Sequence, residues 1–368
     1  MPRHPVSALL LVLLLSFAAA PAAGRQEVRL PGGFDAEGLR EEVGKGRDAA
    51  RAGDDGAAIE HFTRALRAAD LPDLPQAERA AIHSERGRAL LRLGRRDKAL
   101  LDFHRAIRLD ATLSDNWYRR GSLRARLGEL EPALADLSEA LRLDPGLEPG
   151  FRARSKVLAE LRRLPEAQAD MEAALRLDGR NPETHLELGR LRMMRGEHWG
   201  AFRDFTKALQ LDPERAAALM DRGRATFFLG RFAAAAADFR AAWRRAPEDP
   251  AAGLWFRIAA RRSGVGDPAE LDLAGGRSSA WPGPVLALLD GRLEDRELLD
   301  LARGEDPGRA AQREAEARFF LAQRDLLAGR ADLAEARFER ILQGGLWRSA
   351  AYQGARAEMT RLAAAPAR

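Results

Sequence analysis

Small residues interrupt the apolar positions of this chain at a fixed interval. Gly87, Gly121, Gly189 and Gly223 fall 34, 68 and 34 residues apart, with Ser155 in the skipped slot. Ala99, Ala133, Ala167, Ala201 and Ala235 hold a second small position, and Ala106, Ala140, Ala174, Ala208 and Ala242 a third. Between these two a bulky apolar residue recurs, as Phe103, Leu137, Met171, Phe205 and Phe239. A side chain of one carbon or none lets one helix lie directly against another, so each unit predicts a pair of packed helices. The turn between them falls near Gly94, Gly128, Gly196 or Gly230, where glycine accepts the left-handed backbone that ends a helix. Asn181-Pro182-Glu183 and Asp212-Pro213-Glu214 read as helix starts, an N-cap acceptor followed by proline at the first helical position.

The pattern sets the organisation. Five units run over 80–113, 114–147, 148–181, 182–215 and 216–249, and an earlier one over 39–70 fits through Gly46, Gly53, Ala58, Phe62 and Ala65. The insertion "LPDLPQAER" after it carries two prolines and reads as an extended loop. After Pro250 the pattern loosens: a first helix over 250–264 is followed by the turn-rich "ELDLAGGRSSAWPGP", making 250–314 a degenerate repeat and irregular helical connector with short helices at 284–290 and 294–303. A last unit at 315–345 has Ala322, Gly329, Ala334, Phe338 and Ile341 in the expected slots. Within 346–368 a closing helix from Trp347 to about Leu362 is expected to cover the exposed apolar end of the stack.

These units resemble the tetratricopeptide repeat superfamily in period and in the order small, small, bulky, small. The resemblance implies an all-α, right-handed superhelical solenoid whose first helices line a concave groove. The segments "LWFRIAARRSG", "WPGPVLALLDG" and "EARFFLAQRDLLAGRADLAEARFERIL" resemble the NlpI-like branch of periplasmic repeat proteins. That branch implies an adaptor bringing cell-wall hydrolases and a periplasmic protease together, and dimers. Its members are lipid-anchored through a cysteine, and this chain has none.

Composition adds an address. Arg3 and His4 precede the apolar run from Ala8 to Ala20, and "AAAPAAG" follows, the three-part layout of a cleaved export signal. Residues 1–24 are therefore expected to leave, with 25–38 as linker, and the mature chain to be periplasmic or secreted without a stable membrane anchor. The absence of cysteine excludes disulfides, thiol nucleophiles, thiolate metal sites and an acylated junction. The formal net charge of +5 is too small and too dispersed to argue for nucleic acid.

Candidate chemistry then rests on the first helices. Their positions not used for packing recur at spacing three, four, three, one helical face. Its central row reads Arg47, Arg88, Ser122, Lys156, Arg190 and Arg224, five of the six cationic, with Tyr118 and Arg152 in a neighbouring row and Met193 and Phe227 toward the later units. By resemblance this row faces the groove, where it would grip the carboxylates of a peptide or protein partner. The alternative is a solvated face. Glu85, Glu187 and Asp221 stand three residues before Arg88, Arg190 and Arg224, and Glu160 four after Lys156, spacings suited to local ion pairs. A self-associating scaffold, a homodimer through the C-terminal unit or convex face, is the second functional reading.

Catalysis finds no support. His83 and His185 occupy packing slots, His61 and His104 are expected on the outer face of second helices, and no His-Glu-x-x-His pair or Gly-x-Ser-x-Gly elbow occurs. "GVGDPAE" lacks the Lys-Ser/Thr that closes a phosphate loop. No cofactor or metal is expected. Trp281 reads either as a plug at the junction before the last unit or as a docking aromatic.

Overall fold

The computed structural model describes residues 36–68, 75–247, 249–266, 281–304 and 306–364. The expected export signal, most of the linker and most of the turn-rich stretch after Gly266 lie outside them. Among the described residues the secondary structure is eighteen α-helices and no strand. The chain divides by compactness into residues 1–116 and 117–368.

The first unit holds α1 (Ala36–Arg51), α2 (Asp55–Ala68), α3 (Gln76–Arg92), α4 (Arg96–Leu109) and the start of α5 (Ser114–Arg126). α1 packs on α2, α2 on α3 and α3 on α4, around Phe62 and Phe103, both fully buried. α1 begins inside the expected linker. The loop expected at "LPDLPQAER" is also shorter than its prolines suggested, because Gln76 to Arg79 are already helical behind Pro75, which stands at the N-cap and leaves good helix formers to follow.

The second unit continues α5 and adds α6 (Leu130–Leu143), α7 (Glu148–Glu160), α8 (Leu164–Leu177), α9 (Pro182–Arg195), α10 (His198–Leu211), α11 (Ala216–Phe228) and α12 (Phe232–Arg245). α13 (Pro250–Arg262), α14 (Gly283–Leu289), α15 (Asp295–Arg303), α16 (Pro307–Leu327), α17 (Ala331–Gln343) and α18 (Ala350–Ala363) complete it. Asn181 caps α9, accepting from the Glu183 and Thr184 amides. Asp212 starts nothing: α11 begins only at Ala216. In the 34-residue register Asp212 aligns with Asp110, Asp144 and Asp178, all of which sit at the C-cap ending a second helix.

The small positions explain the pairing. A Cβ added to Gly189 would stand 2.5 Å from the Phe205 ring, and one at Gly223 2.6 Å from the Phe239 ring. Each ring meets bare helix through its Cδ1, Cε1 and Cζ atoms, a contact alanine would already spoil. Ser155 solves the same slot differently, its hydroxyl donating to the Ala167 carbonyl at 2.6 Å. That unit also lacks the turn glycine. Gly94, Gly128, Gly196 and Gly230 adopt φ of +73° to +85°, while Arg162 takes φ +61° in their place.

α13, expected as the first helix of a degenerate repeat, packs on α12 and holds the middle of an aromatic core. Trp255 is ringed by Phe227, Phe228, Phe239, Phe319 and Phe320 at centroid distances of 5.4–6.1 Å. Trp281 packs at the edge of the same core and its indole N–H donates to Glu316 at 2.7 Å.

Candidate functional site

Four helix pairs, α3–α4, α5–α6, α7–α8 and α11–α12, are pinned by an ion pair whose partners lie sixteen residues apart. Arg86, Arg120, Arg154 and Arg222 on the first helices hold Asp102, Asp136, Asp170 and Asp238 on the second, each through two nitrogens at 2.6–2.9 Å. The sequence reading missed them, although both series repeat every 34 residues. The exceptions follow the same geometry. Leu188 replaces the arginine in the α9–α10 pair, and Asp204 is served by Arg192 from one turn further along. Burial pushes the Asp204 carboxyl up against the pull of Arg192. Asp102, equally desolvated, is held below its ordinary value because Arg86 and His83 both bond it. In the earliest pair the signs are exchanged: Glu42 accepts from His61 at 2.8 Å, in the slots that His83 and Asp102 fill one unit later. His61 is thus half-buried at a helix interface and not on the outer face.

With the pairs locked, the remaining face of each first helix is fixed in direction. In the first unit Arg47 bonds Glu85 across from α1 to α3, at 2.9 and 3.0 Å. In the second, Lys156 reaches Glu187 at 2.6 Å and Arg190 reaches Asp221 at 2.8 Å. The acids three residues before Arg88 and Arg190 therefore serve the preceding repeat's cation, not their own helix. Only Arg224 pairs locally, at 3.1 Å from Asp221, and it also lies over the Trp255 ring at 5.8 Å. Glu160, read as a local partner for Lys156, instead accepts from Arg348 at 2.6 Å.

Arg88 stands apart, exposed and without an ion pair among the described residues. The slot that supplies an acid elsewhere holds Arg119. Arg88 lines a concavity of about 440 Å³ with Arg47, Arg51, Arg92 and the edge of Phe62. Arg51 and Arg92 are occupied by Asp48 and Asp55, which leaves Arg88 as the cation a visiting carboxylate could take. In the second unit Tyr118 packs partly buried against the cluster of Ala133, Leu137 and Val157, the Ser122 hydroxyl is buried without a hydrogen bond among the described residues, and Arg152 lies 3.8 Å from Glu148. None of these three projects a free charge.

Met193 and Phe227 are not groove residues. They are 5% and 0% exposed: the Phe227 ring packs on Phe228, Phe232 and Trp255, and the main chain at Met193 is covered by α18. This helix was expected to close the end of the stack; it packs on α17, α16 and α11 and lies across the C-terminal ends of the earlier first helices. Arg356 donates to the Met194 carbonyl at the end of α9, and Arg361 to the Phe228 carbonyl at the end of α11, both at 3.0 Å. These are orphan carbonyls at the negative ends of helix dipoles, where a guanidinium is favoured on both counts. The guanidiniums of Arg348 and Arg162 each lie over the Trp347 ring at 5.3 Å. At the other end Glu358 is buried against Arg262 of α13 at 3.0 Å and Gln323 of α16 at 3.1 Å. The strap also encloses His198, whose imidazole is pushed down to about 4 by burial and by the charges of Arg356 and Arg361.

Among the described residues no group of three or more His, Cys, Asp or Glu side chains is arranged to hold a metal ion, and no described helix is long and apolar enough to cross a membrane. His83 and His185 lie at helix interfaces, bonding Asp102 and the Gly179 carbonyl. What the first-helix face offers is charge, shape and a rigid frame.

Residues 80–113, 114–147 and 200–250 match family models described as tetratricopeptide repeat. Among solved structures, a tetratricopeptide repeat protein from Parabacteroides merdae is 19% identical, with 81% of this chain and 99% of that chain covered at a TM-score of 0.50. YrrB, a TPR protein with an unusual peptide-binding site, is 20% identical over 53% of this chain and 97% of that chain at 0.47. Pseudomonas aeruginosa pilF is 19% identical over 60% and 95% at 0.49. The first of these shares the fold; the other two are more loosely alike. No curated protein matches the sequence.

Proposed function

We propose that this chain, a member of the tetratricopeptide repeat superfamily, is a non-catalytic adaptor that binds an acidic peptide or protein segment on the first-helix face of its N-terminal repeats. The observation that carries this is Arg88, an exposed guanidinium in a concavity whose other cations are already paired. A frame of glycine-seated rings and buried Arg–Asp pairs supports the reading, since it holds that face without reorganisation on binding. The later repeats are a poorer site, because Phe227 is buried against Phe232 and Trp255 and Met193 lies beside α18.

The leader-like N-terminus and the NlpI-like segments place this adaptor, in our reading, outside the cytoplasm, where it would gather cell-wall hydrolases or proteases. Affinity capture from envelope extracts of the native host, with the mature chain and its Arg88→Glu variant, tests the site. The partners held by the parent chain should be lost from the variant, and an unchanged set would refute the groove. Fractionation of the tagged full-length chain tests the address, and retention in the cytoplasm would remove the envelope role.

A further inference from the structure

On α3, the residues facing the Arg88 concavity are Glu85, Arg88 and Arg92; Arg79, His83 and Arg86 point the opposite way at 100° per residue. They look into a larger cleft, about 680 Å³, bounded by the second helices α2 and α4. Arg67 of α2, Arg79 and Arg86 of α3, and Arg105 and Arg108 of α4 line it, and its described lining contains no carboxylate. Asp102 lies behind that wall, almost fully buried and consumed by Arg86 and His83. Among the described residues the side chains of Arg67, Arg79, Arg105 and Arg108 make no hydrogen bond or ion pair, and the Arg79 Nε is buried without an acceptor. α3 also starts here, with Pro75 at its N-cap and no side chain accepting from its first amides, so a helix dipole adds positive potential to the same place.

Like charges crowded in a concave wall repel, and here five arginines from three helices share one concavity with no carboxylate in its described lining. We infer that this cleft is a second binding site, and that its ligand is an acidic peptide segment, distinct in position from the Arg88 face. A small inorganic anion would engage one or two guanidiniums and leave the rest unmatched. The cations are spread over three helices with Leu66 and Leu109 between them, which suits a run of carboxylates carrying an occasional apolar side chain. Guanidinium pairs with carboxylate in a two-point geometry that lysine lacks.

The test uses the mature chain and a fluorescein-labelled acidic dodecapeptide of glutamate, aspartate and leucine, followed by anisotropy at two salt concentrations. Arg105 and Arg108 are exposed, so Arg105→Glu/Arg108→Glu should fold, which far-UV circular dichroism checks. Arg96→Glu/Lys98→Glu is the control: the same charge change on the exposed start of α4, outside the cleft. Binding should weaken at least about tenfold in the first variant, about 1.4 kcal/mol or more, and less than about twofold in the control, and should fall with salt. When the comparison is repeated in the Arg88→Glu background, which removes the first-helix face, the same loss should appear, which separates this site from the Arg88 face. Equal losses in both double variants, or undiminished binding in the first, would overturn the assignment. So would pyrophosphate or oligothymidylate binding where the peptide does not.

Discussion

Glu358 is the point at which the C-terminal strap is most exposed to attack. It is 2% exposed, and one carboxylate oxygen accepts from Arg262 at 3.0 Å and Gln323 at 3.1 Å while the other accepts from Arg361. Glu358→Gln keeps the shape and removes the charge, leaving Arg262 desolvated without its counter-ion. Breaking a buried pair from one side costs about 3–5 kcal/mol, and the amide retains one acceptor, so the lower end, about 3 kcal/mol, is expected. The loss should appear first as local opening of α18, because repeat arrays unfold segment by segment. Native-state hydrogen exchange over 350–363 should accelerate about a hundredfold, with the amides of α3 and α4 unchanged. The double variant Arg262→Met/Glu358→Met, which removes both charges, should recover most of the protection. Exchange within about threefold of the parent in Glu358→Gln would show that the ion pair does not hold the strap.

Three further outcomes are expected. Gly189→Ala forces a methyl against the Phe205 ring and should lower stability by about 1–3 kcal/mol in urea titration, whereas Gly44→Ala, with nothing within 4 Å of the added carbon, should raise it by up to about 1 kcal/mol. Asp136→Ala removes the carboxylate that the buried Arg120 shares with Arg124 and should cost about 3–5 kcal/mol, read by the same titration, while the exposed pair Arg51 and Asp48 should show a coupling of about 1 kcal/mol or less. His198 has its pKa depressed from 6.5 to about 4, so its unfolded form binds the proton first: the contribution is complete above 6.5 and drains away as pH falls toward 4. Between pH 7 and 4.5 the parent should lose about 2–3 kcal/mol more than His198→Gln, and equal losses would contradict the burial of a neutral ring.

The helix pairs were legible in the sequence because their contacts are local. Gly87 and Phe103, or Gly223 and Phe239, are sixteen residues apart, and a requirement for no side chain at all leaves a mark that few other requirements leave. The Arg–Asp pairs follow the same rule and could have been read from the recurrence of Arg86, Arg120, Arg154 and Arg222. The cation row was legible as a face but not as a set of bonds, since an acid three residues before an arginine is equally placed for its own helix and for the repeat before it. Relative position of neighbouring repeats decides between them, and for Arg47, Lys156 and Arg190 it decided for the neighbour.

The strap had no such mark. Arg356 and Arg361 bind the carbonyls of Met194 and Phe228, and a backbone carbonyl is common to every residue, so nothing at those positions announces an acceptor. Their partners are also 162 and 133 residues away, joined only once the stack has brought the ends of α9 and α11 beside the last helix. By itself, then, the sequence determined the repeat, its period and the class of fold, through steric demands between near neighbours. Which first-helix surface stays open, and which the chain covers with its own C-terminus, was decided by tertiary structure, because main-chain acceptors and long-range burial carry no residue identity.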